Sequence, residues 1–443
     1  MARTTSRFHH EDNLDYLFGF NQYHQSEALP GIVPDGCNVP QRNKHDLYAE
    51  RLSGTSFTTA RKDTKQTWLY RLKPTVAISE FEPVSGPTQD ESMDYLPQRS
   101  AWAPRPINQK ADFVQGLTKI GGAGDPTLKE GMSYYVLLAG KDMAPDQAYA
   151  TCDGDLLLVP QQGTLDIRTE LGRLRVRPRE LVVLPRGIKF QVTLPDGPVR
   201  AYGVEIFGGH FDLPELGPIG TYGLANIRDF EVPTADFDDS DADMHITIRM
   251  AGRLYTARYP GSIFNVVGWH GTSYPYKYDF GKFNTFGSTS YDHPDPSIFT
   301  VLTCPSAIPG EAALDVVLFG PRWLVMEDCF RPPYYHMNTM SEFIFLVEGG
   351  FDVEPLPKEL HGMCSLTNTM IPHGPAPDDF KKAVAAKLEP FRIGNDNCGI
   401  MFESRYMVGT TRFMNEQMSK LPDWRASGQV YAKGTAKPLR NGA

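Results

Sequence analysis

The chain predicts an all-β protein, and three observations carry that expectation. Short runs rich in Val, Ile, Phe and Tyr recur between turn residues. Apolar and polar side chains alternate plainly at Leu165, Ile167 and Thr169 and again at Leu174, Val176 and Leu181. Gly and Pro, 40 and 36 of 443 residues, break most stretches before a helix could complete several turns. Alternation with period two sends successive side chains to opposite faces of a sheet. Many short strands separated by turn signals predict antiparallel sandwiches or barrels. At this length two or three domains are expected, and 41% hydrophobic with 22% charged residues is ordinary globular composition.

Taken in order, residues 19–74 open on breakers ("SEALPGIVPDGCNVP") and continue into "LYAERLSGTSFTTAR" and "QTWLYRLKP", which predict short strands. Residues 75–130 predict irregular chain; "GGAGDP" at 121–126 is similar to phosphate-binding glycine patterns but lacks their strand and helix context, so a surface turn is expected. The strongest signal runs from 153 to 207, where "PRELVVLPRGIKF" resembles the second half of a cupin barrel with no histidine at the ligand positions. That barrel is expected to be structural and metal-free. The acidic "DFDDSDAD" at 236–243 lacks the glycine register of a calcium loop and predicts a solvated loop. From 262 onward a second barrel is expected, in "SIFNVVGWHG", "PSIFTVLTC", "ALDVVLFGPRWLV", "SEFIFLVEGG" and "GIMFESRYMV". One helix is expected at 378–390, where Asp378 can cap and Phe380, Val384 and Leu388 recur at helical spacing. The expected organisation is a bicupin, with a metal-free N-terminal β domain over 1–280 and a C-terminal cupin-like domain over 281–443.

A net charge of -9 argues against nucleic-acid and anionic-membrane partners. No apolar run is long enough to span a bilayer. The cysteines at 37, 152, 304, 329, 364 and 398 show no CxxC spacing, which suits a reducing compartment and disfavours structural zinc. With no apolar leader in "MARTTSRFHHEDNLDYLFGF", the expected location is the cytoplasm.

The chemistry concentrates in "RPPYYHMNTMSEFIFLVEGG", residues 331–350. If this segment is extended, positions 336, 338, 340 and 342 point one way and His336 and Glu342 look into one cavity. An ionised carboxylate among such apolar neighbours costs several kcal/mol unless it is paired or bound to a metal. Of the histidines late in the chain, at 293, 336, 361 and 373, His361 reads as a surface residue, while His373 in "TMIPHGPAPDD" sits where a strand end can project a ligand. His336, Glu342 and His373 would form a two-histidine, one-carboxylate set with one face open, the arrangement of non-haem Fe(II) oxygenases. The competing reading, ordinary core or surface histidines, stays open on the residues alone.

Beyond these residues, "SEALPG", "LYAERLSGTSFT", "WLYRLKP", "DGDLLLVPQQG", "LPELGPIG", "GLANIRDF", "NVVGWHG", "DHPDPSIFTVLT", "FRPPYYH", "MSEF", "PHGP" and "MFES" follow one another in an order that resembles the homogentisate 1,2-dioxygenase family over nearly the whole chain. The resemblance implies a cupin-like fold, an iron-holding C-terminal barrel, and homotrimers or homohexamers. It implies that His336, Glu342 and His373 bind Fe(II), that His293 in "YDHPDPSIF" is the acid/base, and that an aromatic hydroquinone and O2 are substrates for ring cleavage. A base is needed because a phenolic hydroxyl, with a pKa of ~10, must lose its proton to bind iron well at neutral pH.

Three of the positions expected to contact substrate beside His373 depart from the family. Met337 stands for an arginine, Phe351 for a tyrosine and Thr367 for a histidine, while Phe345 replaces a small residue. The first three swaps remove a charge or hydrogen-bond donor that could meet an acetate group. They predict a hydroquinone with an uncharged substituent, such as methoxyhydroquinone. The alternative is homogentisate itself, cleaved to maleylacetoacetate in tyrosine and phenylalanine catabolism. A non-enzymatic bicupin is a third reading, disfavoured because such a polar set is costly without a metal.

Overall fold

The computed structural model describes residues 6–421 apart from 11, 37, 87–91, 222, 288, 328–333 and 352–354. Cys37 and Cys329 lie outside the described residues, as do parts of the 331–350 segment; Cys152, Cys304, Cys364 and Cys398 are free thiols.

Three sheets stack as layers. A ten-stranded sheet forms the middle layer, with Leu117–Asp125, Glu130–Ala139, Asp155–Gln162 and Val199–Ile206 near its centre. Its strands are buried on both faces, which is why Leu156, Leu157, Leu158 and Val159 form an unbroken apolar run. On one face Leu156 and Leu158 pack with Leu165, Ile167, Leu174 and Val176 of a seven-stranded sheet. On the other, Leu157 and Val159 join a cluster that contains Phe343, Phe345, Ile400 and Phe402 of a six-stranded sheet. Aromatic rings cement that second junction: Tyr134 stacks on Phe343 at 4.9 Å and Tyr202 on Phe345 at 4.8 Å.

The six-stranded sheet runs in the order Thr300–Pro305, Ala312–Phe319, Cys398–Ser404, Ser341–Glu348, Cys364–Thr367 and Ser100–Trp102. The two halves of the chain are therefore interleaved: Ser100–Trp102 extends the later sheet, and Gly409–Thr411 pairs with Leu117–Asp125 in the middle one. Gly121 permits that second pairing, since a Cβ there would lie 2.6 Å from the Gly409 carbonyl oxygen.

Several expectations are corrected. "GGAGDP" belongs mostly to the Leu117–Asp125 strand, where its glycines serve close strand approach and not a surface turn. Val266–Gly271 pairs with His24–Glu27 and Gln66–Arg71, and Tyr276–Asp279 with Glu180–Leu184, so the stretch after 262 completes the earlier sheets before the later one begins. The acidic 236–243 stretch is a surface loop as expected, and it is crossed by Arg173–Asp236 at 2.9 Å, Arg168–Asp238 at 3.6 Å and an Arg258–Asp243 pair. The expected helix is Pro377–Ala385, opened by Pro377 with Ala376 as its N-cap and not by Asp378. It stops short of Leu388 because Ala386 is already extended, and Val384 and Leu388 stay exposed. Among the described residues no helix is long and apolar enough to cross a membrane.

Candidate metal centre

The strand Ser341–Glu348 is largely buried: its odd positions, Phe343 and Phe345, face the core cluster, while Glu342 and Ile344 face the other way. His336 is not on that strand. It sits in an isolated bridge with His373, each backbone N–H donating to the other's carbonyl at 2.9 and 3.0 Å. The expected shared strand face is thus replaced by a loop that folds back, and residues 337–340 turn the chain before the strand starts. The backbone bridge, not strand alternation, brings the two imidazoles together, with ring centroids 4.2 Å apart.

The three candidate ligands offer donor atoms that all lie within 4.8 Å of one another. His373 Nε2 is 3.1 Å from Glu342 Oε2, and His336 Nε2 is 3.7 Å from Glu342 Oε1, an ion-pair approach too long for a hydrogen bond. His336 Nδ1 meets the Tyr334 carbonyl at 3.0 Å and His373 Nδ1 the Ile371 carbonyl at 2.9 Å. A carbonyl only accepts, so both Nδ1 atoms carry hydrogen, and in the neutral rings both Nε2 lone pairs turn toward the carboxylate. Three electron-rich donors facing one point suit a cation between them. Two imidazoles and one carboxylate are a donor set that suits Fe(II), so these residues fit the ion that the sequence led us to expect.

Burial alone would raise the Glu342 carboxyl, but the two imidazoles hold it down at about 2. The nearby Glu342 carboxylate raises the His336 imidazole above its ordinary value against the opposing pull of burial. Glu403, opposite Glu342 on the neighbouring strand, is pushed up to about 8 by burial and by the Glu342 and Asp315 carboxylates. A divalent cation at the triad would oppose that rise.

The other expected site residues scatter. Thr367 is buried directly opposite Glu342 on the Cys364–Thr367 strand. Phe351 lies edge-on to Phe319 at 6.5 Å and covers Gly399, in the same barrel face as Ile344. Met337 is 60% exposed. Phe345 points into the core against Tyr202, so its bulk is a packing matter and not a change in the pocket. His361 caps a short turn after Leu360 and is not among the three grouped donors. His293 places Nδ1 2.8 Å from the Pro294 carbonyl; its loop is tied to the centre through Asp295, which accepts from the Tyr334 hydroxyl at 2.7 Å. Two residues were not foreseen. Asn338 donates to Glu342 Oε1 at 2.7 Å, four residues before it, and Tyr334 supports His336 from two residues away. Their signal was only proximity to the histidine and the glutamate, which many bystanders share.

Family comparisons decide what such a centre belongs to. Residues 15–280 match the N-terminal model of homogentisate 1,2-dioxygenase, and residues 281–432 its C-terminal model. The chain belongs to the homogentisate 1,2-dioxygenase family. That is a family of ring-cleaving dioxygenases. Homogentisate 1,2-dioxygenase of Emericella nidulans is 47% identical over 92% of this chain and 92% of its own. The Dictyostelium discoideum protein of that name is 44% identical over 93% and 96%, and the Pseudomonas syringae one 46% identical over 88% and 90%. Among solved structures, quercetin 2,3-dioxygenase of Acinetobacter baumannii overlaps at a TM-score of 0.26 with 10% identity, covering 74% of this chain and 93% of its own. A nickel-bound bacterial pirin of Escherichia coli overlaps at 0.25 with 9% identity, over 73% and 99%. Both overlaps are too slight to bear on function.

Proposed function

We propose that the protein is an Fe(II)-dependent dioxygenase that cleaves a hydroquinone ring, with His336, Glu342 and His373 as iron ligands and His293 as the acid/base. The observation that carries the reading is the convergence of two Nε2 lone pairs on the Glu342 carboxylate, within 4.8 Å, in a chain of this family. When bound, ferrous iron supplies Lewis acidity and the electron transfer that O2 requires. The carbonyls of Tyr334 and Ile371 hold both ligand imidazoles in the tautomer that binds a metal through Nε2. Asn338 fixes the carboxylate's orientation. Ile344, Met401 and Phe299 pack together in the row next to Glu342 and make that side of the centre apolar, as an aromatic ring requires. His293, with hydrogen on Nδ1 toward Pro294, presents Nε2 as the base that takes the proton from the substrate hydroxyl.

For the ring substituent the reading favours an uncharged group such as methoxy, because Asp315 and Glu403 stand on the triad's face and the family's arginine is Met337, turned to solvent. Identity of 44–47% to three proteins named for homogentisate favours that acid instead. Comparing kcat/KM for methoxyhydroquinone and homogentisate tests the choice; a large preference for homogentisate ends the uncharged reading. Iron content and O2 uptake with either phenol test the dioxygenase itself. We further assign a metal-free domain to 1–280 and the catalytic domain to 281–443, with trimers or hexamers in a reducing cytoplasm; native mass measurement tests the assembly.

A further inference from the structure

Glu342 belongs to a straight row of side chains. Thr367 stands opposite it on one side and Glu403 on the other, with Asp315 opposite Glu403 and Thr303 opposite Asp315. Directly opposed residues share a sheet face, so all five point to the side on which the histidines gather. The next row on that face is apolar, Ile344 opposite Met401 and Met401 opposite Val317, packed with Phe299. Glu403 stands one strand over from Glu342, ~5 Å away between paired Cα atoms, on the side where a ring with one oxygen at the triad would lie. The other acids nearby have partners: Glu342 has Asn338 and the imidazoles, Asp295 has the Tyr334 hydroxyl, and Asp315 has Thr303 opposite it. Glu403 is half-buried and accepts no hydrogen bond from the described residues.

We propose that Glu403 contacts the substrate, accepting a hydrogen bond from the ring hydroxyl remote from the triad, and so selects diols over singly hydroxylated rings. This inference rests on the hydroquinone reading above and adds a specificity residue to it. An acceptor aimed at a substrate hydroxyl penalises any analogue that cannot donate, because the acceptor is then left unpaired in a desolvated place.

The test is anaerobic binding to the iron-loaded protein, read by intrinsic fluorescence, of hydroquinone and of 4-methoxyphenol, which has one hydroxyl capped. The wild type is expected to bind hydroquinone about 10- to 100-fold more tightly. In Glu403→Ala with wild-type iron content, the preference is expected to fall to within about threefold. Should that variant lose iron or fail to fold, the isosteric Glu403→Gln is read in the same way, with a smaller but clear fall. A wild-type preference kept in the folded, iron-loaded variant overturns the role of Glu403 and leaves the dioxygenase reading standing. An iron-loaded wild type that binds neither phenol overturns the hydroquinone reading together with this inference.

Discussion

At the scale of single residues, the centre depends on how each donor is held. Glu342 is 6% exposed, and a carboxylate so buried is tolerable only while cationic or hydrogen-bonding partners surround it. Glu342→Gln removes the negative donor and is expected to abolish iron retention after dialysis, measured by metal analysis. Asn338→Ala leaves all three donors in place and frees the carboxylate to rotate. It is expected to weaken iron binding by about 10- to 100-fold in a chelator competition, the usual effect of losing such a support. Phe351→Tyr restores the family's hydroxyl at the wall that covers Gly399. It is expected to shift the kcat/KM ratio toward homogentisate by about 10-fold, the worth of one hydrogen bond to a charged group. No shift would mean that position 351 does not reach the substituent.

At the scale of elements, two joints hold the layers that carry the centre. Gly409–Thr411 lies against Leu117–Asp125 only because Gly121 has no side chain, and Gly121→Ala drives a Cβ toward backbone that cannot yield. A cost of ~1–3 kcal/mol is expected, seen as a lower melting temperature with the iron ligands untouched. The second joint pins the 207–212 turn. Burial pulls the His210 imidazole down, but the Asp155 carboxylate 2.6 Å away more than reverses this, leaving it above its ordinary value. A raised folded pKa means that the pair's contribution is complete below about pH 6.5 and fades as pH climbs through the raised value. The melting advantage of wild type over His210→Gln should therefore shrink as pH rises above about 6.5. An advantage that grows with pH would refute the pairing.

At the scale of the molecule, the middle sheet joins everything: one face closes a core with the seven-stranded sheet and the other packs on the six-stranded sheet that carries Glu342. Iron held as proposed by His336, Glu342 and His373 would join two loops and a strand that the unfolded chain cannot hold together, so its binding energy would be folding energy. Removing iron with a chelator should lower the melting temperature, and adding Fe(II) anaerobically should restore it. At a hundredfold excess over Kd the stabilisation is about 2.7 kcal/mol. An apo-protein that melts with the holo-protein would place the ion elsewhere.

The residue order alone was enough for the all-β class, because alternation such as Leu165, Ile167 and Leu174, Val176 is a direct imprint of strand geometry on which side chains are buried. It also marked His336, Glu342 and His373 as a candidate set, because a buried carboxylate near two imidazoles runs against ordinary burial preferences, though on the residues alone ordinary histidines stayed open and the family resemblance supplied the ligand roles. What it could not reveal was how they meet. The His336–His373 backbone bridge, the support of Asn338, and the position of Glu403 beside Glu342 all depend on pairings between segments far apart in the chain. Nor could it assign Val266–Gly271 to the earlier sheets or interleave Ser100–Trp102 with the later one. Local sequence sets which faces are apolar, whereas strand partners are chosen by the global burial of those faces, and that choice exists only in the folded whole.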